Sequence, residues 1–580
     1  MMSTIVQRRP QVEHSHLSFL NHPLLQRIYA SRGINSSQDL SYQLKNLINP
    51  STLKDADVAA KLLFNAIVNH QHITIVGDFD ADGATSTALS MLTLRRFGAE
   101  KVDYIVPNRF DFGYGLSVPI VDIAHQQGTQ VIMTVDNGIS SIDGIERAKA
   151  LGMTVIVTDH HLAGDELPQA DAIVNPNQPD CEFASKNLAG VGVAFYVMLA
   201  LRAEMRKENY FSDHGLEEPN MAEFLDIVAL GTVADVVILD SNNRILVEQG
   251  LARIKAGRTR PGIKALLEIG KRNLNRVVAS DMGFAIGPRL NAAGRLDDMS
   301  LGIECLLTDS EHRAQEIASE LDGFNKDRRS IEAGMQQEAL KIIEQLPFTQ
   351  EGGEIPYAFA LFHPQWHQGV SGIVASRIKE KFHRPVIVFA DAGDGELKGS
   401  GRSIEGLHLR DLLERINTLA PGIILKFGGH AMAAGLSINA EDYPRFATLF
   451  EAQAKATLST EQLSGKIMTD GELQSSEINL DIASLLRGAG PWGQGFIEPC
   501  FDGKFRVVQQ RLVGEKHLKL VLEPENSALV VDAIAFNVDL ETWPNPNIQW
   551  VEVAYKLDVN EFRNKQSVQL MVEHIVPINS

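Results

Sequence analysis

The chain has 580 residues, 44% hydrophobic and 22% charged, a composition of ordinary globular domains and too long for one core. Its 54 Lys and Arg against 73 Asp and Glu leave a formal charge of −19, which argues against indiscriminate nucleic-acid binding while allowing a local basic track. No apolar run reaches the roughly 18–20 residues of a membrane span. The segment Met1–His16 has no hydrophobic signal core, and Cys181, Cys305 and Cys500 are too scattered for a zinc site or a disulfide framework. A cytoplasmic protein without a membrane anchor is expected.

Residues 1–70 predict a mostly helical segment, punctuated by Pro10, Pro23 and Pro50, with no evident chemistry. Residues 71–240 alternate short β-branched runs (Ile73–Val76, Val102–Val106, Val131–Val135, Val155–Thr158, Ala172–Val174) with helical stretches such as Ile120–Gln127 and Ser141–Leu151. That alternation predicts a parallel sheet covered on both faces, with ligands at the carboxyl ends of its strands. Residues 241–350 read as a basic helical linker. Eight Lys and Arg fall between Leu251 and Val277 against the single acid Glu268, Gly287–Arg295 reads as a specialised loop, and a long helix runs from about Ser310 to Gln345.

Residues 351–458 predict a second α/β domain, with strands Tyr357–Phe362 and Pro385–Phe389, a helix from Gly369 to Lys381, and glycine loops at Gly399–Ser403 and Gly428–His430. Residues 465–578 carry five short strand patterns, the count of a small barrel such as an OB-fold. The expected fold class is therefore α/β: a parallel-sheet domain and a second α/β domain joined by a long helix, with a C-terminal OB-like β-barrel.

Chemistry collects at the strand ends. Asp78, Asp80 and Asp82 follow the first strand, Asp136-Asn137-Gly138 the third, and Asp159-His160-His161 the fourth, while Asp235 closes the apolar segment Ile227–Val233. Charge that dense is costly in a sheet unless a cation sits on it, and carboxylates with one or two imidazoles suit Mn2+ or Mg2+ better than zinc. The set suffices for two ions sharing a bridging carboxylate, an arrangement that activates water and neutralises the leaving oxygen of a phosphoester. A calcium loop fails, because the twelfth position counted from Asp78 is Leu89 rather than Glu. Ordinary turn aspartates are the plainer alternative, and the recurrence at several strand ends weighs against it.

These motifs resemble the DHH phosphoesterase superfamily. The carrying residues are Asp78–Gly83, Asp136-Asn137-Gly138, Asp159-His160-His161 and Thr232-Val233-Ala234-Asp235, with Trp366-His367-Gln368-Gly369-Val370 and Gly428-Gly429-His430-Ala431 resembling the DHH-associated domain. Together with Gly287–Arg295 and the C-terminal β domain, the resemblance narrows to the bacterial single-strand-specific 5′-to-3′ DNA exonucleases of that superfamily. It implies that Asp78, Asp80 and Asp136 hold one ion, and that Asp82, Asp136, His160 and Asp235 hold the second, with Asp136 bridging. His161 would contact the scissile phosphate, Asp159 would orient a histidine, and no Ser or Cys nucleophile is required.

For the strand itself, Arg289, Arg402 and Ser400 are candidates for a terminal-phosphate pocket, joined by Arg109. Tyr114 is a candidate stacking platform, Gly369 a helix start offering N–H groups to phosphate, and His430 a group facing the metals. Arg295 and His367 complete the substrate-binding set. The plainer readings are turn chemistry for Gly369 and His430, a surface salt bridge for Arg109 and a packed loop anchor for Tyr114. The basic run reads as a backbone track or as a solvated helix face.

The implied activity is metal-dependent hydrolysis of single-stranded DNA from 5′ to 3′, releasing nucleotides in DNA repair and recombination. The resemblance places the strand in a narrow cleft between two lobes. Implied partners are single-stranded DNA, a single-strand-binding protein and a helicase, with no membrane and a monomeric chain. The alternatives are a phosphodiesterase for oligonucleotides or cyclic dinucleotides, and a non-catalytic replication scaffold. The basic linker and β domain disfavour the first; the full set of acids and histidines disfavours the second.

Overall fold

The computed structural model describes residues 4–108, 115–164, 166–346, 355–562 and 565–578. Two compact units emerge, residues 8–324 with 469–580 and residues 1–7 with 325–468.

The larger unit is built on five parallel strands, β1 (Ile73–Val76), β2 (Val102–Ile105), β3 (Val131–Val135), β4 (Thr154–Thr158) and β5 (Ala172–Val174), in the order β2-β1-β3-β4-β5. The period-2 alternation of the strands supplies two cores. Ile73, Ile75, Val131, Met133 and Ile156 face one layer, which includes helices α1 (Ala56–Val68), α2 (Ala81–Arg96), α5 (Gly190–Lys207) and α6 (Leu225–Ala234). Val76, Ile132, Val155 and Val157 face the opposite layer, made by α3 (Val118–Gln126) and α4 (Ile142–Ala150). Each buried branched side chain contributes about 1.5–3 kcal/mol, so the strands form a rigid frame. The chain runs from β1 to β2 on one side and crosses to β3 on the other. The β1/β3 boundary is thus the point where strand order reverses, the crevice in which doubly wound sheets bind ligands.

Past the sheet, α7 (Ser241–Lys255), α8 (Pro261–Ile269), a π-helical turn at Met282–Ile286, α9 (Gly287–Leu296) and α10 (Ser300–Leu307) belong to the same unit. The segment Gly287–Arg295, expected as a loop, is helix. Pro288 in the first turn suits a helix start, and its glycines serve close packing rather than turns. The basic run is partly spent on structure: Lys264 pairs with Glu311, Arg272 with Asp281, Arg276 with Glu561, and Arg260 lies over the Phe224 ring. Helix α11 (Glu311–Glu344) carries the chain across the unit boundary.

The smaller unit holds β6 (Phe359–Phe362), α12 (Gln368–Phe382), β7 (Val386–Gly393), β8 (Glu396–Arg402), α13 (Leu409–Leu419), β9 (Lys426–Gly429), β10 (Ala433–Asn439) and α14 (Tyr443–Thr457). Its sheet order is β9-β10-β8-β7-β6, antiparallel except for β6 with β7. The expected loop at Gly399–Ser403 is largely strand β8. A Cβ on Gly399 would lie 2.6 Å from the Phe389 ring, so that glycine lets neighbouring strands close over an aromatic side chain.

After 468 the chain returns to the larger unit as α15 (Leu480–Gly488) and a closed barrel, β11 (Phe501–Val513), β12 (His517–Pro524), β13 (Val531–Ala535), β14 (Trp550–Phe562) and β15 (Lys565–Pro577), ordered β11-β12-β13-β15-β14. The expected α/β class with a C-terminal five-stranded barrel is observed. No helix among the described residues is long and apolar enough to cross a membrane.

Candidate metal centre

The carboxylates gather at the sheet's reversal point. Asp78 and Asp136 leave the ends of β1 and β3, and His160 and His161 follow β4. Asp235 instead caps the carboxyl end of helix α6, a correction to its expected place at a strand end. His160 Nε2 lies 3.1 Å from Asp136 Oδ1, 3.5 Å from Asp235 Oδ2 and 3.8 Å from Asp82 Oδ2. Three overlapping groups result, each with ligand atoms within 4.8 Å of one another: Asp78, Asp80 and Asp136; Asp82, His160 and Asp235; Asp136, His160 and His161.

Local structure explains why so many acids are tolerated. Asp80 caps helix α2, its Oδ1 accepting from the N–H groups of Asp82 (2.9 Å) and Gly83 (3.0 Å). Both oxygens of Asp82 accept from the first N–H groups of α5, Gly190 (2.6 Å) and Val191 (2.9 Å). Two helix amino termini, each partly positive, thus point into the cluster. Asp136 holds φ at +62°, a left-handed conformation that Asp accepts better than most residues. Next to it, Asn137 donates to the carbonyls of Val76 (3.0 Å) and Val135 (2.9 Å), clamping the ends of β1 and β3 together.

These contacts leave specific atoms unsatisfied. His160 Nε2 and Asp235 Oδ2 are buried and make no hydrogen bond among the described residues. Burial, with Asp80 nearby, pushes the Asp82 carboxyl up to about 7. Burial and the surrounding acids hold Asp136 and Asp235 well above the usual carboxylate range. A divalent cation answers both conditions, and an oxygen-rich donor set with imidazole fits Mn2+ or Mg2+.

The adjacent histidines are driven apart. Burial and the neighbouring His161 lower His160 to about 4, which keeps it in the neutral, metal-ligating form. Burial opposes charge on His161 too, but the 2.7 Å contact of its Nδ1 with Asp159 Oδ1 outweighs it and raises it to about 9. Asp159, although buried, is held low by His161, and it also accepts from the backbone N–H groups of Ile139, His160 and His161.

Gly190 was not singled out from sequence, and the sequence did not show what Gly83, Asn291 and Gly294 touch. A Cβ on Gly190 would lie 2.6 Å from Asp136 Cβ, so only glycine lets α5 approach this acid. A Cβ on Gly83 would lie 2.5 Å from the Asp78 carbonyl oxygen. Helix α9 braces the acidic loop through Asn291 Oδ1, which accepts from Ala81 N–H (2.8 Å), and through Gly294, packed against the Phe79 carbonyl. The signal for Gly190 and Gly294 is a small residue in a helix that meets a polar strand end, visible only once the partner is known.

The expected strand-holding residues divide. Arg109 and Tyr114 lie outside the described residues. Arg289 is buried, with Nη2 2.7 Å from Asp322 Oδ1 and Nε donating to the same oxygen at 2.9 Å, while Nη1 donates to the Ala285 carbonyl. In this structure its Nε and Nη2 therefore pair with Asp322 rather than standing open. Arg295 is half-buried on the last turn of α9.

His367, Gly369, Ser400, Arg402 and His430 belong to the smaller unit. His367 caps α12, its Nδ1 accepting from Gly369 N–H (3.1 Å), so that N–H is committed locally rather than offered outward. His430 is exposed, its N–H donating to the Ala433 carbonyl (2.8 Å). Arg402 is half-buried beside Ser400 and Gly372, donates to the Gly401 carbonyl (2.8 Å), and has no carboxylate partner among the described residues.

Comparison with known proteins agrees with this layout. Residues 72–232 match the DHH family N-terminal domain, 354–456 the DHHA1 domain and 469–574 the RecJ OB domain. The chain is 56% identical over 556 residues to the single-stranded-DNA-specific exonuclease RecJ of Escherichia coli (strain K12), covering 96% of each. It is 32% identical over 560 residues to the protein of the same name from Bacillus subtilis (strain 168), covering 95% of this chain and 67% of that one. The fold matches the crystal structure of RecJ in complex with Mn2+ from Thermus thermophilus with a TM-score of 0.80 at 28% identity, over 99% of this chain and 80% of that one. A second structure of that protein, with Mg2+, matches at a TM-score of 0.75 and 27% identity, over 99% of this chain and 79% of that one. The chain belongs to the RecJ family of DHH proteins.

Proposed function

We propose that the chain is a metal-dependent exonuclease that hydrolyses single-stranded DNA from the 5′ end, releasing nucleotides, with two Mn2+ or Mg2+ ions at its centre. The observation that carries this reading is the overlap of the ligand groups: Asp136 belongs to two of the three and His160 to two of the three. Asp78, Asp80 and Asp136 would hold one ion, and Asp82, Asp136, His160 and Asp235 the other. When bound, such ions polarise phosphate oxygens and lower the pKa of bound water. The printed names of the relatives support the substrate, and the Mn2+ and Mg2+ structures support the metals.

The chain's own residues supply position. Asp159 fixes the His161 ring through Nδ1, so Nε2 is the nitrogen that would donate to the scissile phosphate. The two helix amino termini hold Asp80 and Asp82 in place without drawing on the ions. Ser400 and Arg402 are assigned to an anion pocket for a terminal phosphate, supported by the absence of an acidic partner for Arg402 among the described residues. A cytoplasmic monomer acting in DNA repair and recombination, beside a single-strand-binding protein and a helicase, is the setting this activity fits.

The test uses single-stranded and duplex DNA blocked at either end, with Mn2+, Mg2+ or a chelator. Loss of single strand from an open 5′ end, with either metal and not with the chelator, is expected. Cleavage confined to cyclic dinucleotides, or no cleavage with either metal, would overturn the reading.

A further inference from the structure

A groove of about 480 Å3 opens in the larger unit directly beyond the metal ligand Asp235. Val236, the next residue, forms part of its wall and is 65% exposed with φ at +62°, a left-handed conformation that a β-branched side chain rarely adopts. The π-helical turn Met282–Ile286 also lines the groove and presents Phe284, 74% exposed. Single-turn π bulges of this kind concentrate at functional positions. Ile497, 48% exposed, adds to the apolar lining.

The wall is fixed rather than incidental. Gly283 packs against Val233, and Leu239 N–H donates to the Gln494 carbonyl (2.7 Å), tying the segment after Asp235 to the lead-in of the barrel. Lys255 and Arg487 stand around the groove with Glu248, while the barrel residue Lys556 is paired with Glu498 (3.1 Å) and Glu573 (3.3 Å). An exposed aromatic face and aliphatic walls with Lys255 and Arg487 among the lining residues suit a single strand: stacking for the bases and positive charge for the backbone.

We propose that this groove holds nucleobases of the single strand beyond the scissile phosphate, with Phe284 as their stacking platform, on the path from the metal centre to the barrel. The proposal rests on the exonuclease reading above. Its occupant is the strand bound at the metal centre, because Val233 and Val236, which line the groove, flank the candidate ligand Asp235 in the chain. Phe284 acts as a substrate-binding residue that sets affinity and leaves the chemical step alone.

The test compares the full-length chain with Phe284→Ala and Phe284→Trp on a 30-nucleotide single strand carrying 2-aminopurine at successive positions. Because Phe284 is largely exposed, its truncation leaves the core intact, and thermal unfolding verifies this. Phe284→Ala is expected to raise KM about tenfold at unchanged kcat, the scale of one lost stack, and to relieve 2-aminopurine quenching at one or two adjacent positions. Phe284→Trp restores both. A Phe284→Ala protein with wild-type KM and an unchanged quenching profile overturns the proposal, as does a 2-aminopurine profile that the wild-type protein leaves unchanged. Failure of the wild-type chain to degrade single-stranded DNA would refute the exonuclease reading itself, and is read out separately.

Discussion

Gly190→Ala tests whether the metal centre depends on backbone approach as well as on its ligands. A β-carbon at residue 190 would meet Asp136 Cβ at 2.6 Å, and Asp136 Cα and Cγ at 2.9 Å. Carbon atoms in contact rest about 3.5–4.0 Å apart, so roughly 1 Å must be found by moving α5, Asp136 or both. Neither moves freely. Gly190 and Val191 donate to both oxygens of Asp82, and Asp136 is anchored between the clamped ends of β1 and β3. Overpacking of this kind costs about 1–3 kcal/mol of stability, and a 1 Å displacement of reacting groups costs on the order of 10²-fold in rate.

Alanine is the better helix former, so any loss must come from the contact. Manganese titration by calorimetry, exonuclease rate on single-stranded DNA and thermal unfolding should all report the change. Gly334→Ala, where a β-carbon meets nothing within 4 Å, is the control and should be neutral or slightly stabilising. A Gly190→Ala protein with wild-type manganese affinity and rate would refute the reasoning.

Replacing Asp159 with Asn should lower activity by about 10–100-fold through loss of His161 orientation; a pH–rate profile should shift with it, and an unshifted profile would count against the orienting role. Arg289→Ala should cost about 3–5 kcal/mol of stability by breaking its buried pair with Asp322, measured by urea unfolding; a protein that loses 5′-phosphate discrimination at full stability would place Arg289 in substrate binding. Metal dependence of stability should grow with pH. Without metal, the raised carboxyls of Asp82, Asp136 and Asp235 keep the native state more protonated than the unfolded chain from about pH 4 to 7, so stability falls as pH rises through that window. Asp159, held low, acts oppositely only in acid, and His160, lowered to about 4, acts oppositely within the window but as one group against three. The rise in Tm on adding Mn2+ should therefore be larger at pH 7.5 than at pH 5, and an equal rise at both would remove the electrostatic argument.

Much of the fold was legible because its causes are local. β-Branched runs of four or five residues separated by helical stretches specify a parallel sheet, and strand alternation in the last hundred residues specifies a barrel. The errors were also local in origin. Glycine and proline in Gly287–Arg295 suggested a loop, yet Pro288 opens a helix and Gly294 lets that helix touch the Phe79 carbonyl. Asp235 follows an apolar run that resembles a strand and is the end of a buried helix, because periodicity cannot separate the two in a segment that short.

By itself the sequence determined the donor chemistry: carboxylates and imidazoles at several strand ends have no cheap use except around a cation, and that follows from the residues alone. Only the tertiary structure decided which atoms converge. The placement of Asp136 beside His160, the close approach of Gly190, and the engagement of Arg289 by Asp322 join positions 24, 54 and 33 residues apart in the chain. The opposite charge preferences of His160 and His161 are likewise invisible in two identical neighbouring letters, because they are set by burial and by which of the two rings faces Asp159.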